Sequence, residues 1–337
     1  MKLNKKKEYK NIQYFFDNRS INNKSKLIQK IKLAMYNLIN FKEIRVQRLF
    51  EDLKDEISVL LISFNHEKTI KKALESILAQ KTSIPVKIYC FDDGSTDETQ
   101  EILKEYQSYH KEKVKVIFSK INTKVPQDLI LKSEINFNTK YWCLLDGDDY
   151  WIDAYNLQKK VEVLTNSEKI IGCSSITKMI NKDNVTLIKP DKLLFNKSDL
   201  IAHKDIWSFY CHTSSILWKN YYYNKKTKLP YPPHYGYDGC GDTFLFNLML
   251  NNDHQIYIIP EVLSVYNYTG EGLWSKLSKE IQDKINKKLK KKIFYYSPLK
   301  YKILYLLIFI LKLRILKKFK IYKLFFKILR TQPVNIL

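Results

Sequence analysis

Ile57-Ser58-Val59-Leu60-Leu61-Ile62, followed by Ser63-Phe64-Asn65, is the stretch that decides how the chain is read. The first six residues are a short apolar run rich in β-branched side chains, as a strand buried on both faces requires. The next three end it with polar groups. Residues 69–80 then place Ile70, Ala73, Ile77 and Leu78 at helical spacing. The same reading predicts a second strand at 86–91, a second helix at 98–106, a third strand at 114–118 and a fourth at 141–145. Such alternation predicts an α/β fold with a doubly wound, mostly parallel sheet, whose ligands sit at the carboxyl ends of the strands. Ser63-Phe64-Asn65, Asp92-Asp93 and Asp146-Gly147-Asp148-Asp149 all fall at those ends. Three strands therefore aim polar groups at one rim.

Asp146-Gly147-Asp148-Asp149 places three carboxylates in four residues. That much negative charge is unfavourable unless a cation neutralises it. An oxygen-only set suits Mg²⁺ or Mn²⁺ rather than zinc, and a short set leaves coordination positions for phosphate oxygens. The competing reading is a solvated acidic turn, but the cluster follows the apolar strand Trp142-Cys143-Leu144-Leu145 directly. Asp92-Asp93-Gly94-Ser95 reads two ways. A carboxylate there can accept from a base imide or a ribose hydroxyl, and the string is equally a turn capping the next helix. Phe64 is read either as a base-stacking ring or as an apolar cover for the sheet edge. Asp242 precedes the apolar helical run Phe244-Leu245-Phe246-Asn247-Leu248-Met249 and is read as an N-terminal helix carboxylate or as a general base, with Asp238 its rival. His203, His212 and His234 read as ordinary residues rather than ligands.

Charge is distributed unevenly along the 337 residues. Of the formal net charge of +23, residues 1–56 carry +7, residues 57–275 none and residues 276–337 carry +16. An electrically ordinary middle between basic flanks suggests docking to something anionic, a membrane face or nucleic acid. The five cysteines, Cys90, Cys143, Cys173, Cys211 and Cys240, show no metal-type spacing, which suits a reducing compartment. No signal-peptide run follows the first residues. The longest apolar run, 303–311, falls short of the about 20 residues that a spanning helix needs. Glycine is scarce and no internal repeat is found.

Several strings, in order, resemble the family 2 glycosyltransferases of the inverting type. They are Ile57 to Asn65, Ser76-Ile77-Leu78-Ala79-Gln80, Phe91-Asp92-Asp93-Gly94-Ser95-Thr96-Asp97 and Leu145-Asp146-Gly147-Asp148-Asp149-Tyr150-Trp151 with Leu157-Gln158. His212-Thr213-Ser214-Ser215-Ile216-Leu217, Gly241-Asp242 and the segment Tyr266 to Ser275 follow. The later strings are similar to a bacterial subgroup with a Gly-Asp-Asp-Tyr-Trp metal motif. The resemblance covers about residues 57–275 and implies a GT-A fold, Rossmann-like, with basic helical extensions at 1–55 and 276–337 flanking a domain at 56–275. It implies a nucleotide-sugar donor held by Ser63, Phe64, Asn65, Glu67, Asp92, Asp93, Asp146 and Gly147. It implies Mn²⁺ or Mg²⁺ on Asp148 with Asp146, and Asp242 as the base for inverting displacement. Three departures stand out: Gly241 where relatives often carry Glu, Tyr268 where many place His, and Asn122-Thr123-Lys124 where an Asn-x-Gly is usual. No Gln-x-x-Arg-Trp string of processive synthases occurs, which favours addition of a single sugar.

The expected activity is transfer from a nucleotide-sugar, a UDP-sugar first among them, to a glycan or lipid-linked acceptor in bacterial surface polysaccharide or lipooligosaccharide synthesis. Leu27, Ile31, Met35 and Leu38 predict an N-terminal helix. Ile321, Leu324, Phe325 and Ile328, opposite Lys320, Lys323, Lys327 and Arg330, predict a basic amphipathic helix. That pattern points to peripheral attachment at an anionic, cytoplasmic membrane face, with no nucleic acid as partner. The rival classes are a glycosidase with paired carboxylates, and an inactive sugar- or nucleic-acid-binding protein using the basic flanks.

Overall fold

The computed structural model describes residues 53–303, except 125, 134, 183, 190–198, 206–210, 222, 224–227, 231–241, 271, 273–275 and 299. The expected helices at 26–55 and 320–330, and the rival base Asp238, lie outside the described residues. The chain divides into two compact units, Val46–Tyr296 and a second formed by Met1–Arg45 with Ser297–Leu337. In the described part of the second, the Pro298 carbonyl accepts from the Tyr301 and Lys302 N–H groups and opens a helical turn.

The larger unit begins as the alternation requires. β1 (Lys54–Ser63), α1 (Ile70–Leu78), β2 (Val86–Asp92), α2 (Thr99–Tyr109), β3 (Val114–Phe118), α3 (Pro126–Lys132) and β4 (Thr139–Asp146) follow one another. β3, β2, β1 and β4 lie side by side in that order, all parallel. Ile57, Val59, Leu60 and Leu61 are fully buried, because helices cover both faces of β1. Registers bring Ser63 beside Asp92, Ile62 beside Asp146 and Asp92 beside Phe118. The polar ends of four strands are thereby level, and the expected rim is a geometric fact.

After β4 the alternation stops. β5 (Tyr150–Trp151), α4 (Asn156–Thr165), β6 (Ile170–Asn181), β7 (Asn184–Ile188), β8 (Leu200–Ala202), β9 (Leu217–Lys219), α5 (Asp242–Met249), β10 (Gln255–Asn267) and α6 (Lys279–Tyr296) complete the unit. β9 runs antiparallel between β4 and β6, and β10 pairs with β6 in parallel. The longest ladders are parallel and most antiparallel ones short, so the sheet is mixed but mostly parallel. With its flanking helices it is the α/β architecture expected of a GT-A fold. Because β9 reverses the direction once and β6 reverses it again, β10 ends at the same rim as β4.

α6 belongs to this unit rather than to a separate basic extension starting at 276. Its Ile293 is fully buried, and Tyr296 meets Phe244 of α5 edge-on at 5.4 Å between ring centroids. Lys292 lies 4.0 Å over the Phe244 ring. Among the described residues no helix is long and apolar enough to cross a membrane.

Strings that are distant in sequence meet in space. Gln80 Nε2 donates to the Asp153 carbonyl at 2.9 Å, and Gln80 Oε1 accepts from the Leu157 N–H at 3.0 Å. Gly172 on β6 faces Trp218 of β9, where a Cβ would stand 2.6 Å from a ring carbon. That ring is itself held between Trp142, at 6.3 Å, and Phe246, at 5.9 Å. Gly172→Ala should therefore cost about 1–3 kcal/mol through overpacking, read as a lowered midpoint in thermal denaturation.

Candidate active site

Each rim cluster is built by its own loop. β1 leads into a loop in which Asn65 takes the left-handed conformation, φ 55°, tolerated by Asn. The Asn65 N–H donates to Ser95 Oγ at 2.8 Å, and Asn65 Oδ1 accepts from the Thr96 N–H at 2.8 Å. Glu67 Oε2 accepts from the Glu98 N–H at 3.2 Å, at the start of α2. Phe64 is half-buried. Ser63, Asn65 and Glu67 thus use their side chains to tie the β1 loop to the β2 loop.

Asp92 and Asp93 divide the two readings made of them. Asp92 Oδ1 accepts from the Ser95 N–H at 2.9 Å and from Gln100 Nε2 at 2.8 Å. Its Oδ2 accepts from Ser63 Oγ at 3.1 Å and from Ser95 Oγ. A carboxylate has about four acceptor sites, so Asp92 is filled from within and works as the turn residue. Asp93 Oδ1 accepts from the Thr123 N–H at 3.0 Å and Thr123 Oγ1 at 2.8 Å, and Oδ2 from the Lys124 N–H at 3.0 Å. One acceptor site on Asp93 Oδ2 remains. The loop after β3 keeps its tight geometry with lysine in the usual glycine position, Lys124 standing at φ 58°.

The turn after β4 carries the acidic cluster. The Gly147 N–H donates to the Ile62 carbonyl at 2.8 Å. A Cβ at Gly147 would lie 2.5 Å from His66 Nδ1 and 2.9 Å from Ile70 Cδ1, so only glycine lets the turn sit this close to the β1 loop. His66 Nε2 is 4.0 Å from Asp148 Oδ2, and burial holds the His66 pKa below its ordinary value. Burial, then the carboxylates of Asp148 and Asp242, push the Asp146 carboxyl up to about 8. Asp242, at the start of α5 nearly a hundred residues further along the chain, lies near enough for its charge to act on Asp146. Burial also raises the Asp242 carboxyl above the usual carboxylate range.

Asp149 points inward instead. Its Oδ2 accepts from Ser214 Oγ at 2.6 Å, its Oδ1 from the Asn267 N–H at 3.2 Å, and it is 1% exposed. The Asp146 N–H donates to Ser214 Oγ at 3.3 Å, and Trp151 Nε1 donates to the Ser214 carbonyl at 2.9 Å. The Thr213–Ser215 turn thus holds the acidic turn through Ser214 and the core through Ser215, whose carbonyl accepts from the buried Lys160 Nζ at 2.6 Å. Sequence reasoning quoted this string but gave Ser214 and His66 no role, because nothing local marks a hydroxyl or imidazole that acts on residues far along the chain. His212 stacks on Tyr266 at 4.1 Å with its Nδ1 3.4 Å from Asp149 Oδ2, and burial lowers its pKa to about 4.

Asp146 and Asp148 fit a divalent cation in one respect. Like charges crowd there, and two carboxylates that leave further positions to phosphate suit Mg²⁺ or Mn²⁺. Among the described residues no group of three or more His, Cys, Asp or Glu side chains converges as a metal site. A bound donor would have to complete the coordination sphere.

The comparisons concern the family. The family model described as glycosyl transferase family 2 matches residues 58–226, half of the chain, and the chain belongs to that family. It is 26% identical over 224 residues to the uncharacterised protein Rv1520 of Mycobacterium tuberculosis, covering 65% of this chain and 60% of that protein. The chain therefore spans about 60% of the length of the curated relatives it matches over the longest stretch. It is 35% identical over 74 residues to the putative glycosyltransferase EpsE of Bacillus subtilis, covering 22% of this chain and 26% of EpsE. Among solved structures, a mannosyltransferase from Pyrobaculum calidifontis in complex with GDP-Man and Mn²⁺ shares 13% identity at a TM-score of 0.48, covering 81% of this chain and 79% of that one. TarS of Staphylococcus aureus in complex with UDP-GlcNAc shares 16% at 0.47, covering 72% and 73%.

His212 supplies a pH test. Its folded pKa lies below the unfolded 6.5, so the native state binds fewer protons and the stability it contributes is lost as pH falls from 6.5 towards about 4. The loss reaches about 3 kcal/mol for a shift of that size. Denaturant titrations between pH 7 and 4 should show a shallower decline for His212→Asn than for the parent protein.

Proposed function

We propose that the protein is a metal-dependent, inverting glycosyltransferase that moves one sugar from a nucleotide-sugar, first a UDP-sugar, to a hydroxyl of a glycan or lipid-linked acceptor. The observation that carries this reading is that Asp148 and Asp242 both lie near enough to Asp146 for their charges to add to burial in raising its carboxyl to about 8.

Asp242 takes the proton of the acceptor hydroxyl. A carboxylate raised by burial is a stronger base than one in water. Asp146 and Asp148 hold the cation, with Gly147 allowing close approach. When bound, Mn²⁺ or Mg²⁺ neutralises the charge that grows on the departing nucleoside diphosphate. The β1 loop with Ser63, Phe64, Asn65 and Glu67, together with Asp93, receives the nucleoside, and Asp92 shapes the turn between them. Holding donor and acceptor in line supplies the remaining advantage. Direct attack opposite the leaving group inverts the anomeric carbon.

The acceptor class follows from the flanks. A chain that carries most of its net charge of +23 beyond residue 275 suits work at an anionic surface, where each Lys or Arg adds roughly 1 kcal/mol. We place it at the cytoplasmic face of a bacterial membrane, in surface polysaccharide synthesis.

Two experiments test this. Purified protein incubated with UDP-, GDP- and dTDP-sugars, acceptor glycans and Mn²⁺ or Mg²⁺ should release nucleoside diphosphate from one donor. Asp148→Ala and Asp242→Asn should each lower the rate by about 10²–10⁴-fold. Release that persists without metal, or survives both substitutions, would end the reading. Separately, the full chain should sediment with anionic vesicles, and a chain ending at Tyr296 should remain in the supernatant while keeping its fold by circular dichroism.

A further inference from the structure

Lys124 is held in place more firmly than a surface lysine needs to be. It sits at φ 58°, in the left-handed region that favours glycine. Lys182 and Lys228 share that conformation in connections elsewhere, so the angle alone marks nothing. What singles out Lys124 is its anchoring. Its N–H is shared between Asp93 Oδ2, at 3.0 Å, and Asn122 Oδ1, at 2.8 Å. Thr123 fills Asp93 Oδ1 with two further hydrogen bonds. Gly94, at φ 78°, packs directly on this loop: a Cβ there would lie 2.6 Å from the Ile121 carbonyl carbon and 2.8 Å from the Asn122 nitrogen. The β2 and β3 loops are thus tied together, and the exposed Lys124 is anchored by its backbone to Asp93 Oδ2, which accepts from no other donor among the described residues.

The position of this piece indicates what it meets. The sheet order β3-β2-β1-β4 puts two strand spacings between Asp93 and the acidic turn. That is about 10 Å, the scale of a nucleoside diphosphate from base to terminal phosphate. With the diphosphate at Asp146 and Asp148, the base falls at Asp93 and Lys124. An acceptor beside a cationic donor matches a ligand edge that carries an N–H next to a C=O.

We propose that Lys124 is a specificity residue that donates to a carbonyl oxygen of the donor's nucleobase, selecting bases with an N–H beside a C=O. Uracil, thymine and guanine present that edge, whereas cytosine and adenine do not. The inference rests on the proposed function, since it needs a nucleotide at this rim.

The test is calorimetric titration of UDP, GDP and CDP, with Mn²⁺ present, into the parent protein, Lys124→Gly and Lys124→Asn. Both replacements tolerate the left-handed conformation. The parent should bind UDP or GDP at least tenfold more tightly than CDP. Both variants should lose most of that preference, while the thermal midpoint of Lys124→Gly rises by a few degrees as the strained lysine is removed. That rise confirms folding and separates a recognition role from a structural one. Preference retained in both variants, or absent from the parent, overturns the assignment. If the parent binds no nucleoside diphosphate at all, the proposed function falls, and this inference falls with it. Loss of preference in the variants with UDP binding still measurable supports both.

Discussion

The hydrogen bond from Ser214 Oγ to the buried carboxyl of Asp149 is the contact on which the site depends. Four aspartates meet where β4 ends, and charges of one sign resist being placed together. The chain answers by giving each a separate environment. Asp149 is turned inward and satisfied by Ser214 and by the end of β10. Asp146 and Asp148 are left at the rim, and Asp242 comes from α5. Were Asp149 to swing outward, its carboxylate would add to the repulsion between Asp146 and Asp148.

One short turn organises this arrangement. Ser214 and Ser215 are successive residues with two different clients: the acidic turn and a lysine in the core. Lys160 is fully buried, and burial lowers its pKa to about 8. A buried amine is costly unless hydrogen-bonded, and the Ser215 carbonyl meets that need. The active-site turn and the core therefore support each other, and repacking around Lys160 would be felt at the acidic turn.

The first half of the fold was legible in the sequence. Strands β1 to β4 are apolar runs with helices between them, and periodicity is a local signal. Their polar ends were legible for the same reason, so the strand-end positions of Asp92, Asp93, Asp146 and Asp148 follow from the sequence. The division of labour was not. Nothing in Asp92-Asp93 says that the first carboxylate is filled by Ser63, Ser95 and Gln100 while the second keeps an opening. The mixed half of the sheet also escaped. β9 is three residues long and β10 carries register shifts against β6, and such strands leave no pattern that outweighs their neighbours. His66 escaped because its role lies in the hole left by a missing side chain at Gly147.

The closing contact of Asp149 reaches across 118 residues to the Asn267 N–H. A ribosome adds roughly 5–20 residues per second, so the acidic turn is exposed for on the order of ten seconds before its last partner exists. During that interval β1, β2 and β4 can already assemble, since their pairings close earlier in the chain. The acidic turn is thus completed after strands β1, β2 and β4, which carry it.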